Sequence, residues 1–456
     1  MQPVGHDVKK SLFESRPNMP TLKIYSVSLG CPKTRVDSER LLGALGKVCP
    51  VDKPEDAQLI FINTCGFIRP AVEESLQAVL DAASAAGEAD ARNRPLLAVA
   101  GCLVSRYAGE LSPEMPEVDL WLPLDAMDHW PSMVSEALQR RGLAQGPELA
   151  AWPARFGGPV SYAYLKVSEG CSHACSFCTI PSIRGKLRSE PADRLLVEAR
   201  MLLDRGVSEL VLVAQDLTAY GREAEGSDGL IRLLEQLLPL SGLARLRLMY
   251  LYPAGLTDEL LSFLRTAGAP LLPYFDIPLQ HAHPEILSRM GRPFARDPWR
   301  VLDRVRERFP EAAIRTSLIA GFPGETQEHF QALLDFVRKA RLTHLGVFPY
   351  WPEEGTAAAG MEGQVDEDIK QERVRLLMEA QEEISEELMA GYVGQELDVL
   401  VDEPSPDWPG LHIGRAWFQA PEVDGVVYVS GPGVAPGRTV KAMVEEAGAY
   451  DLSALA

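Results

Sequence analysis

The sequence lacks a long apolar run and an excess of positive charge. No segment is long and apolar enough to span a bilayer, and residues 1–20, interrupted by Pro3, Pro17 and Pro20, lack the apolar centre of a signal peptide. We therefore expect a cytoplasmic protein that works without a membrane. With 45 Lys and Arg against 64 Asp and Glu, the formal net charge is -19. That balance favours a basic partner and disfavours nucleic acid, whose phosphates bind Lys and Arg.

One short stretch is basic although the net charge of the chain is negative: Arg184-Gly185-Lys186-Leu187-Arg188. A surface patch of this kind could bind phosphate even in an acidic protein. Its position just after a group of cysteines also suits a solvated loop beside an active site.

Cysteine is scarce as well, with seven residues in 456. An odd number of cysteines in a large chain expected in the cytoplasm argues for metal binding or catalysis and against a disulfide framework. Six of the seven fall into two groups of three. Cys49, in Lys47-Val48-Cys49-Pro50, belongs to neither group.

One group lies within eight residues, after an apolar stretch that ends at Val167. Cys171, Cys175 and Cys178 have the spacing C-x3-C-x2-C, and thiolates favour zinc, copper(I) or iron-sulfur clusters. A structural zinc site usually has four ligands in two short pairs, and no second pair follows this loop. Three cysteines therefore favour a 4Fe-4S cluster with one open iron. The alternative is a zinc knuckle completed by His173 or by a distant ligand.

The other group repeats one layout three times in the N-terminal region. A short apolar strand ends at a cysteine beside a glycine, and a helical pattern follows; the three pairs are Gly30-Cys31, Cys65-Gly66 and Gly101-Cys102. Alternating strands and helices predict a parallel sheet, whose ligands gather at the carboxyl ends of its strands. Glycine lets backbones come close there. We therefore predict that Cys31, Cys65 and Cys102 converge on a second cluster.

The rest of the chain predicts two further folds. Six strands alternating with helices between residues 162 and 350 predict a partial (βα)6 barrel with its chemistry at the carboxyl ends of the strands. Beyond Gly391, short alternating strands separated by Pro and Gly predict a small β-barrel. The predicted fold class is α/β, and the predicted domains are a flexible tail at 1–20, an N-terminal parallel α/β domain with a cluster at 21–144, a linker at 145–159, the core barrel at 160–390 and the β-barrel at 391–456.

Together, the strand-end cysteines, the loop that ends at Cys178 and the C-terminal β-barrel resemble the radical S-adenosylmethionine (SAM) methylthiotransferase family over residues 21–452. Five motifs are similar to the RimO branch, whose members modify the small-subunit ribosomal protein S twelve (uS12): Ser28-Leu29-Gly30-Cys31-Pro32-Lys33, Asn63-Thr64-Cys65-Gly66-Phe67-Ile68, Tyr164-Leu165-Lys166-Val167-Ser168-Glu169-Gly170-Cys171, Asp276-Ile277-Pro278-Leu279-Gln280-His281 and Glu422-Val423-Asp424-Gly425-Val426-Val427-Tyr428. Thr34 departs from the branch, where Asn is expected after the lysine, but the cysteine itself is in place.

The resemblance implies methylthiolation of the β-carbon of an aspartate in uS12, with two 4Fe-4S clusters and SAM as cofactors. The catalytic cluster, on Cys171, Cys175 and Cys178, would pass an electron from a donor to SAM. The resulting 5′-deoxyadenosyl radical would abstract hydrogen from the aspartate. The carbon would take sulfur at the auxiliary cluster on Cys31, Cys65 and Cys102, and a second SAM would supply the methyl group. Related enzymes contact the cofactor at positions that correspond here to Phe177, Gln215, Gln280 and Ile319.

The C-terminal β-barrel resembles the TRAM domain, which helps tRNA-modifying relatives to bind RNA. From Tyr392 to Ala456, however, there are ten acidic and three basic residues. This balance suits a basic ribosomal protein, free or within the small subunit, and argues against direct tRNA binding. Two alternatives stay open: a tRNA adenosine methylthiotransferase with the same clusters, and a two-cluster electron carrier. A carrier would need far fewer than 456 residues.

Overall fold

The computed structural model describes residues 21–87, 94–143, 149–292 and 297–456. The predicted tail at 1–20 and residues 145–148 of the predicted linker lie outside these ranges. The described chain forms two compact units, one of residues up to Gly158 together with Thr179–Lys186, and one of Pro159–Cys178 together with Leu187–Ala456. Among the described helices, none has the length and apolar character needed to cross a membrane.

The first unit is built on a sheet of five parallel strands, and two of its three interior strands are buried along their whole length. Such strands need cover on both faces, which explains why they read as continuous apolar runs. The strands are β1 (Leu22–Ser28), β2 (Val48–Pro50), β3 (Leu59–Thr64), β4 (Leu96–Gly101) and β5 (Leu120–Leu122), in the spatial order β2-β1-β3-β4-β5. The helices are α1 (Pro32–Ala44), α2 (Arg69–Gly87), α3 (Cys102–Glu114), α4 (Trp130–Arg140) and α5 (Ile180–Arg184).

The described part of the predicted linker, residues 149–159, has no helix or strand but packs closely on α1. The amide of Phe156 donates to the carbonyl of Glu39 at 2.9 Å. The guanidinium of buried Arg155 donates to the Glu39 carboxylate, with Nε at 3.0 Å from Oε2. A Cβ at Gly43 would lie 2.5 Å from the backbone nitrogen of Arg155, so this position has no room for a side chain.

The second unit contains the six parallel strands that the sequence predicts. They form two three-stranded sheets, in the orders β10-β9-β6 and β11-β12-β13, with a short antiparallel pair β7-β8 beside them. The strands are β6 (Tyr162–Lys166), β7 (Ser168–Glu169), β8 (Arg188–Ser189), β9 (Glu209–Val213), β10 (Arg245–Leu248), β11 (Tyr274–Asp276), β12 (Ala313–Ala320) and β13 (His344–Pro349). The helices between them are α6 (Ala192–Asp204), α7 (Arg222–Glu225), α8 (Gly229–Leu237), α9 (Asp258–Ala267), α10 (Pro284–Arg289), α11 (Trp299–Arg308) and α12 (Gln327–Ala340).

Burial along β12 shows how this strand divides its side chains. Ile314 and Leu318 are buried in the core, which Leu333 and Val337 of α12 join. The side chains that alternate with them, Arg315, Ser317 and Ile319, are only half-buried and point to the other face of the sheet. The apolar side of β12 therefore faces the helices, whereas β9, β10 and β11 are buried at every residue.

The C-terminal region forms a long helix and then a closed barrel of five strands. The helix is α13 (Glu367–Ala390), and the strands are β14 (Glu396–Pro404), β15 (His412–Arg415), β16 (Val427–Ser430), β17 (Thr439–Ala447) and β18 (Leu452–Leu455), in the order β14-β15-β16-β18-β17. The α/β fold class, the partial barrel and the small β-barrel are confirmed. The sequence pattern located the first three barrel strands and missed β17 and β18.

A buried ion network joins this β-barrel to the strands of the core. Glu209 at the start of β9 accepts from Nε of Arg247 at 2.7 Å and from Nη1 of Arg415 at 2.9 Å, and all three side chains are almost fully buried. Arg415 also holds Asp402 with two bonds, of 2.7 and 2.9 Å. Arg245 donates to the carbonyl of Arg415 at 3.0 Å. Each of these buried charges therefore has a hydrogen-bonded partner, as burial of a charge requires.

The loop before β16 reaches the same strands through two acidic residues of the predicted Glu422–Tyr428 motif. Buried Asp424 accepts from the hydroxyl of Tyr274 at 2.7 Å and from Nη1 of Arg315 at 2.8 Å. Glu422, with φ at 69°, accepts from the hydroxyl of Tyr162 at 2.9 Å. The motif therefore attaches the β-barrel to the core, which the sequence alone did not indicate.

Candidate functional site

The structure places the three N-terminal cysteines at the carboxyl ends of adjacent strands. Cys31 lies after β1 at the residue that precedes α1, Cys65 follows β3 directly, and Cys102, after β4, is the first residue of α3. Because β1, β3 and β4 are neighbours in the sheet, the three thiols lie at one edge. The thiols also influence one another: burial, with the nearby Cys102 and Cys31, raises the pKa of Cys65 to about 12.

Glycines let these strand ends approach one another. A Cβ at Gly30, where φ is 94°, would lie 2.9 Å from Cβ of Cys65. A Cβ at Gly101, where φ is 101°, would lie 2.4 Å from the carbonyl oxygen of Thr64. Both residues therefore need the positive φ and the open space that only glycine provides. The close backbone approach expected from the sequence is present at each of these two strand ends.

Positive charge near Cys31 favours its thiolate, the form that binds iron. Burial opposes ionisation of this thiol, but Lys33 and Arg184 outweigh burial and lower its pKa to about 7. Arg184 is the first residue of the predicted basic surface patch, and this part of the prediction is wrong. The Arg184 side chain is buried, with Nη1 3.8 Å from Oδ2 of Asp37, whereas Lys186 and Arg188 are exposed.

The cysteine loop of the second unit is fixed mainly through Ser176. The amide of Ser176 donates to the carbonyl of Met290 at 3.1 Å, and its hydroxyl donates to the carbonyl of Arg289 at 2.8 Å. The amide of Ala358 donates to the carbonyl of Ser176 at 2.8 Å. These bonds leave the three loop cysteines half-buried, at positions that a cluster could reach.

A stack of side chains packs beside this loop. The rings of His173 and Tyr252 are stacked, with centroids 3.8 Å apart. The guanidinium of Arg292 lies 4.5 Å from the centroid of the Tyr252 ring. Nη1 of Arg292 donates to Sγ of Cys175 at 3.5 Å. Nε2 of His173 is 2.6 Å from Oδ2 of Asp216. Tyr252 and Arg292 were not identified from the sequence, because no motif marks them.

The geometry disfavours the zinc knuckle. Nε2 of His173 is 2.6 Å from Oδ2 of Asp216, so only Nδ1 of this ring is left to complete a zinc site. Within the described ranges, neither cysteine group has its three sulfur atoms all within 4.8 Å of one another. A zinc ion bound about 2.3 Å from each sulfur would hold the three closer than that. The wider spacing fits a cluster of several irons.

Two of the predicted cofactor contacts lie near the cysteine loop. Phe177 packs edge to face with Phe322, which follows β12, with ring centroids 6.4 Å apart. Gln215, after β9, donates to Oε1 of Glu169 at 2.9 Å, and Nζ of Lys166 donates to Oε2 of the same carboxylate at 2.9 Å. Both contacts orient side chains around the loop. Cofactor binding by Phe177 and Gln215 stays a prediction.

The other two predicted contacts lie side by side at the ends of β11 and β12. The amide of Gln280 donates to the carbonyl of Ser317 at 2.8 Å, and the amide of Ile319 donates to the carbonyl of Gln280 at 2.7 Å. Gln280 has a φ of 73°, an unusual value for a residue other than glycine. Half-buried Ile319 pairs with Phe348 of β13, whose side chain is 50% exposed. Cofactor binding by Gln280 and Ile319 also stays a prediction.

We predict that Arg292 tunes the cluster that the loop cysteines are predicted to hold. A donor to a cluster sulfur stabilises the reduced, more negative state, so Arg292→Gln should lower the reduction potential by on the order of tens of millivolts. Redox titration followed by electron paramagnetic resonance measures this shift. Arg289→Gln is the matched control, because it removes the same charge from a side chain whose guanidinium bonds to the carbonyl of Glu362. Equal shifts in the two variants would contradict the prediction.

Comparison with known proteins agrees with this geometry. Residues 165–337 match the model of the radical SAM superfamily, residues 23–123 that of uncharacterized protein family UPF0004, and residues 393–456 that of the TRAM domain. The ribosomal protein uS12 methylthiotransferase RimO of Nitratidesulfovibrio vulgaris (strain Hildenborough) is 60% identical over 439 residues, which cover 95% of this chain and 100% of that protein. The chain belongs to the RimO family of radical SAM methylthiotransferases.

Other members of the RimO family also match over at least 90% of both chains. The RimO proteins of Oleidesulfovibrio alaskensis and Moorella thermoacetica are 60% and 42% identical, over 95% and 90% of this chain and 100% and 93% of their own lengths. The radical SAM methyltransferase TsrM of Kitasatospora setae shares the fold, with a TM-score of 0.52 at 16% identity over 74% of this chain and 77% of that one. Family membership makes the chain a transferase with 4Fe-4S clusters and SAM as cofactors, and it excludes the electron carrier.

Proposed function

We propose that this chain adds a methylthio group to the β-carbon of an aspartate in ribosomal protein uS12. One observation carries the proposal: the chain is 60% identical to a uS12 methylthiotransferase over that relative's whole length. The two cysteine groups supply the ligands that such a reaction needs.

The bond to be replaced is an unactivated C–H bond, so acid-base chemistry at side chains does not suffice. The bound clusters and SAM supply the radical and sulfur chemistry, while the protein orients the reactants. In this proposal Cys171, Cys175 and Cys178 hold the catalytic cluster with one iron left open for SAM. The auxiliary cluster is held by Cys31, Cys65 and Cys102.

The surrounding residues act on the cofactors through contacts that are already formed. Ser176 fixes the loop backbone, and Arg292 favours the reduced cluster through Cys175. Lys33 and Arg184 keep Cys31 close to its ligating form. An electron donor is also required, because cleavage of SAM to a radical consumes one electron.

The surface of the C-terminal β-barrel supports a basic protein as the substrate. Seven acidic residues are exposed there: Glu396, Asp398, Glu403, Asp407, Glu422, Glu445 and Glu446. The exposed basic side chains of this barrel are Arg438 and Lys441, and Lys441 pairs with Glu396 at 2.8 Å. The acidic face attracts Lys and Arg of a ribosomal protein and repels the phosphates of tRNA.

Product analysis tests the proposal. The anaerobically reconstituted chain is incubated with uS12, SAM and a reductant, and mass spectrometry is expected to find a methylthio group on one aspartate of uS12. Parallel incubation with tRNA should leave adenosine unmodified. Modified tRNA with untouched uS12 would instead identify a tRNA methylthiotransferase. If the acidic face helps to bind uS12, the rate should fall as salt is added, and a rate that salt leaves unchanged would contradict that part.

A further inference from the structure

Two histidines and a glutamate meet at the first turns of α10 and α12, apart from both cysteine groups. His283, Glu285 and His329 each offer one ligating atom, and these atoms all lie within 4.8 Å of one another. Nε2 of His329 is 3.4 Å from Oε2 of Glu285, and the His283 and His329 rings have centroids 4.2 Å apart. Three potential ligands from two separate chain segments therefore converge on one small volume.

Capping contacts fix the direction of the histidine side chains. His283 caps α10, and Nδ1 of its ring accepts from the amide of Glu285 at 3.3 Å. His329 is the third residue of α12; its Nδ1 accepts from the amide of Thr326 at 3.2 Å in a capping box and lies 3.3 Å from the carbonyl of Gly324. A histidine that ligates a metal usually donates its other ring N–H to such a carbonyl. If Nδ1 of His329 donates to the Gly324 carbonyl in place of accepting from the Thr326 amide, the ring presents Nε2, the nitrogen that already faces Glu285.

The chemistry of these side chains selects a particular class of ion. Two imidazoles and one carboxylate suit zinc, nickel or copper, whereas magnesium and calcium prefer all-oxygen ligands. Glu285 is exposed and His329 is largely buried, so water can complete the coordination from the outer side. We propose that His283, Glu285 and His329 form a binding site for a divalent transition-metal ion such as Ni²⁺ or Zn²⁺.

A bound ion would connect two loops at the carboxyl ends of β11 and β12. The first loop carries Gln280, and the second follows Ile319. Beneath the site, buried His281 and Glu325 already join these loops, with Nε2 3.3 Å from Oε2. The ion adds an outer link between the same segments. Its binding should therefore reduce opening of both loops.

Ligation has a cost at both histidines that limits the expected affinity. A ligating ring donates rather than accepts at its second nitrogen, so His283 must give up its 3.3 Å cap contact with the amide of Glu285, and His329 its 3.2 Å contact with the amide of Thr326. Because the His283 contact is long and near the surface, water can replace it.

The test is calorimetric titration of the full-length, cluster-loaded protein with Ni²⁺ under anaerobic conditions. Nickel is the probe because imidazole suits it, whereas zinc would compete for the cysteine thiolates. The wild type should bind one Ni²⁺ at this site. His283→Asn keeps a capping side chain, His329→Gln keeps a capping-box residue and Glu285→Gln keeps its shape, so each removes a ligand while the helix ends are retained.

Each of these three variants should weaken Ni²⁺ binding by at least about tenfold. His129→Asn is the matched control, because His129 is exposed and lies in the other unit. Hydrogen-deuterium exchange of residues 279–285 and 321–329 should slow when Ni²⁺ binds to the wild type. The proposal fails if the wild type shows no saturable binding, if the ligand variants bind like the wild type, or if exchange in these segments is unchanged.

Discussion

Replacing Cys171, Cys175 and Cys178 together by alanine is expected to abolish cleavage of SAM and to remove about half of the bound iron. The three thiolates are the proposed ligands of the cluster that delivers the electron, and they lie on one loop of the second unit. The auxiliary group belongs to the first unit and should keep its iron. Anaerobic iron and sulfide analysis, with chromatography of 5′-deoxyadenosine, measures both effects.

The complementary variant separates the two proposed roles. Replacing Cys31, Cys65 and Cys102 by alanine should also remove about half of the iron, but 5′-deoxyadenosine should still form because the catalytic cluster is intact. Transfer of the methylthio group to uS12 should be lost. If this variant no longer cleaves SAM, the assignment of roles to the two groups is wrong.

Cys49 provides the matched control for both variants. It lies on β2 and is exposed, and its sulfur is 3.7 Å from the carbonyl of Pro50. Cys49→Ala should therefore retain the iron of both clusters and the full activity. Loss of about half of the iron in this variant would refute the division of the seven cysteines into two cluster-binding groups and one cysteine that binds no cluster.

Glu209→Ala should be the most destabilising single substitution in the second unit outside the cysteines. It would leave Arg247 and Arg415 buried without the carboxylate that both of them contact. Removing one partner from a buried ion pair costs at least about 3 kcal/mol. Urea unfolding followed by tryptophan fluorescence measures the loss, and Trp417 is a suitable probe because its carbonyl accepts from Arg247 at 2.9 Å.

The control is Glu396→Ala on the same β-barrel. Glu396 and Lys441 form a pair of similar length, 2.8 Å, but both side chains are more than half exposed. Solvent already screens these charges, so their separation should change the stability very little. Equal losses in Glu209→Ala and Glu396→Ala would show that burial of the network does not matter to the attachment of the barrel.

The contribution of Glu209 should also depend on pH in a defined direction. Burial would raise the pKa of this carboxyl group, but Arg247, Arg415 and Arg245 outweigh burial and lower it to about 2 from 4.5. A group with a depressed pKa in the folded state stabilises the fold fully above its unfolded pKa. The stability difference between wild type and Glu209→Gln should therefore be constant above pH 4.5 and shrink as the pH falls towards 2.

Local sequence patterns determined the fold class, both cysteine groups and the family. Runs such as Leu59–Thr64 and Leu96–Gly101 are apolar because both faces of the strand are covered, so the pattern alone predicts a buried parallel strand. The spacing of Cys171, Cys175 and Cys178 is fixed within one loop. A feature contained in a few neighbouring residues can be predicted without knowing the tertiary fold.

The tertiary structure decided the partners of residues that lie far apart in sequence. Arg292 meets Cys175 across 117 positions, and Glu209 meets Arg415 across 206. Arg184, which reads as part of a surface patch, is buried beside Asp37, and His283 meets His329 only because two loops end at the same edge. Such contacts depend on the paths of all the intervening loops and on which charged side chains are buried next to each other. No local pattern encodes either of these, so the structure alone identifies the side chains that tune and support the cysteine sites.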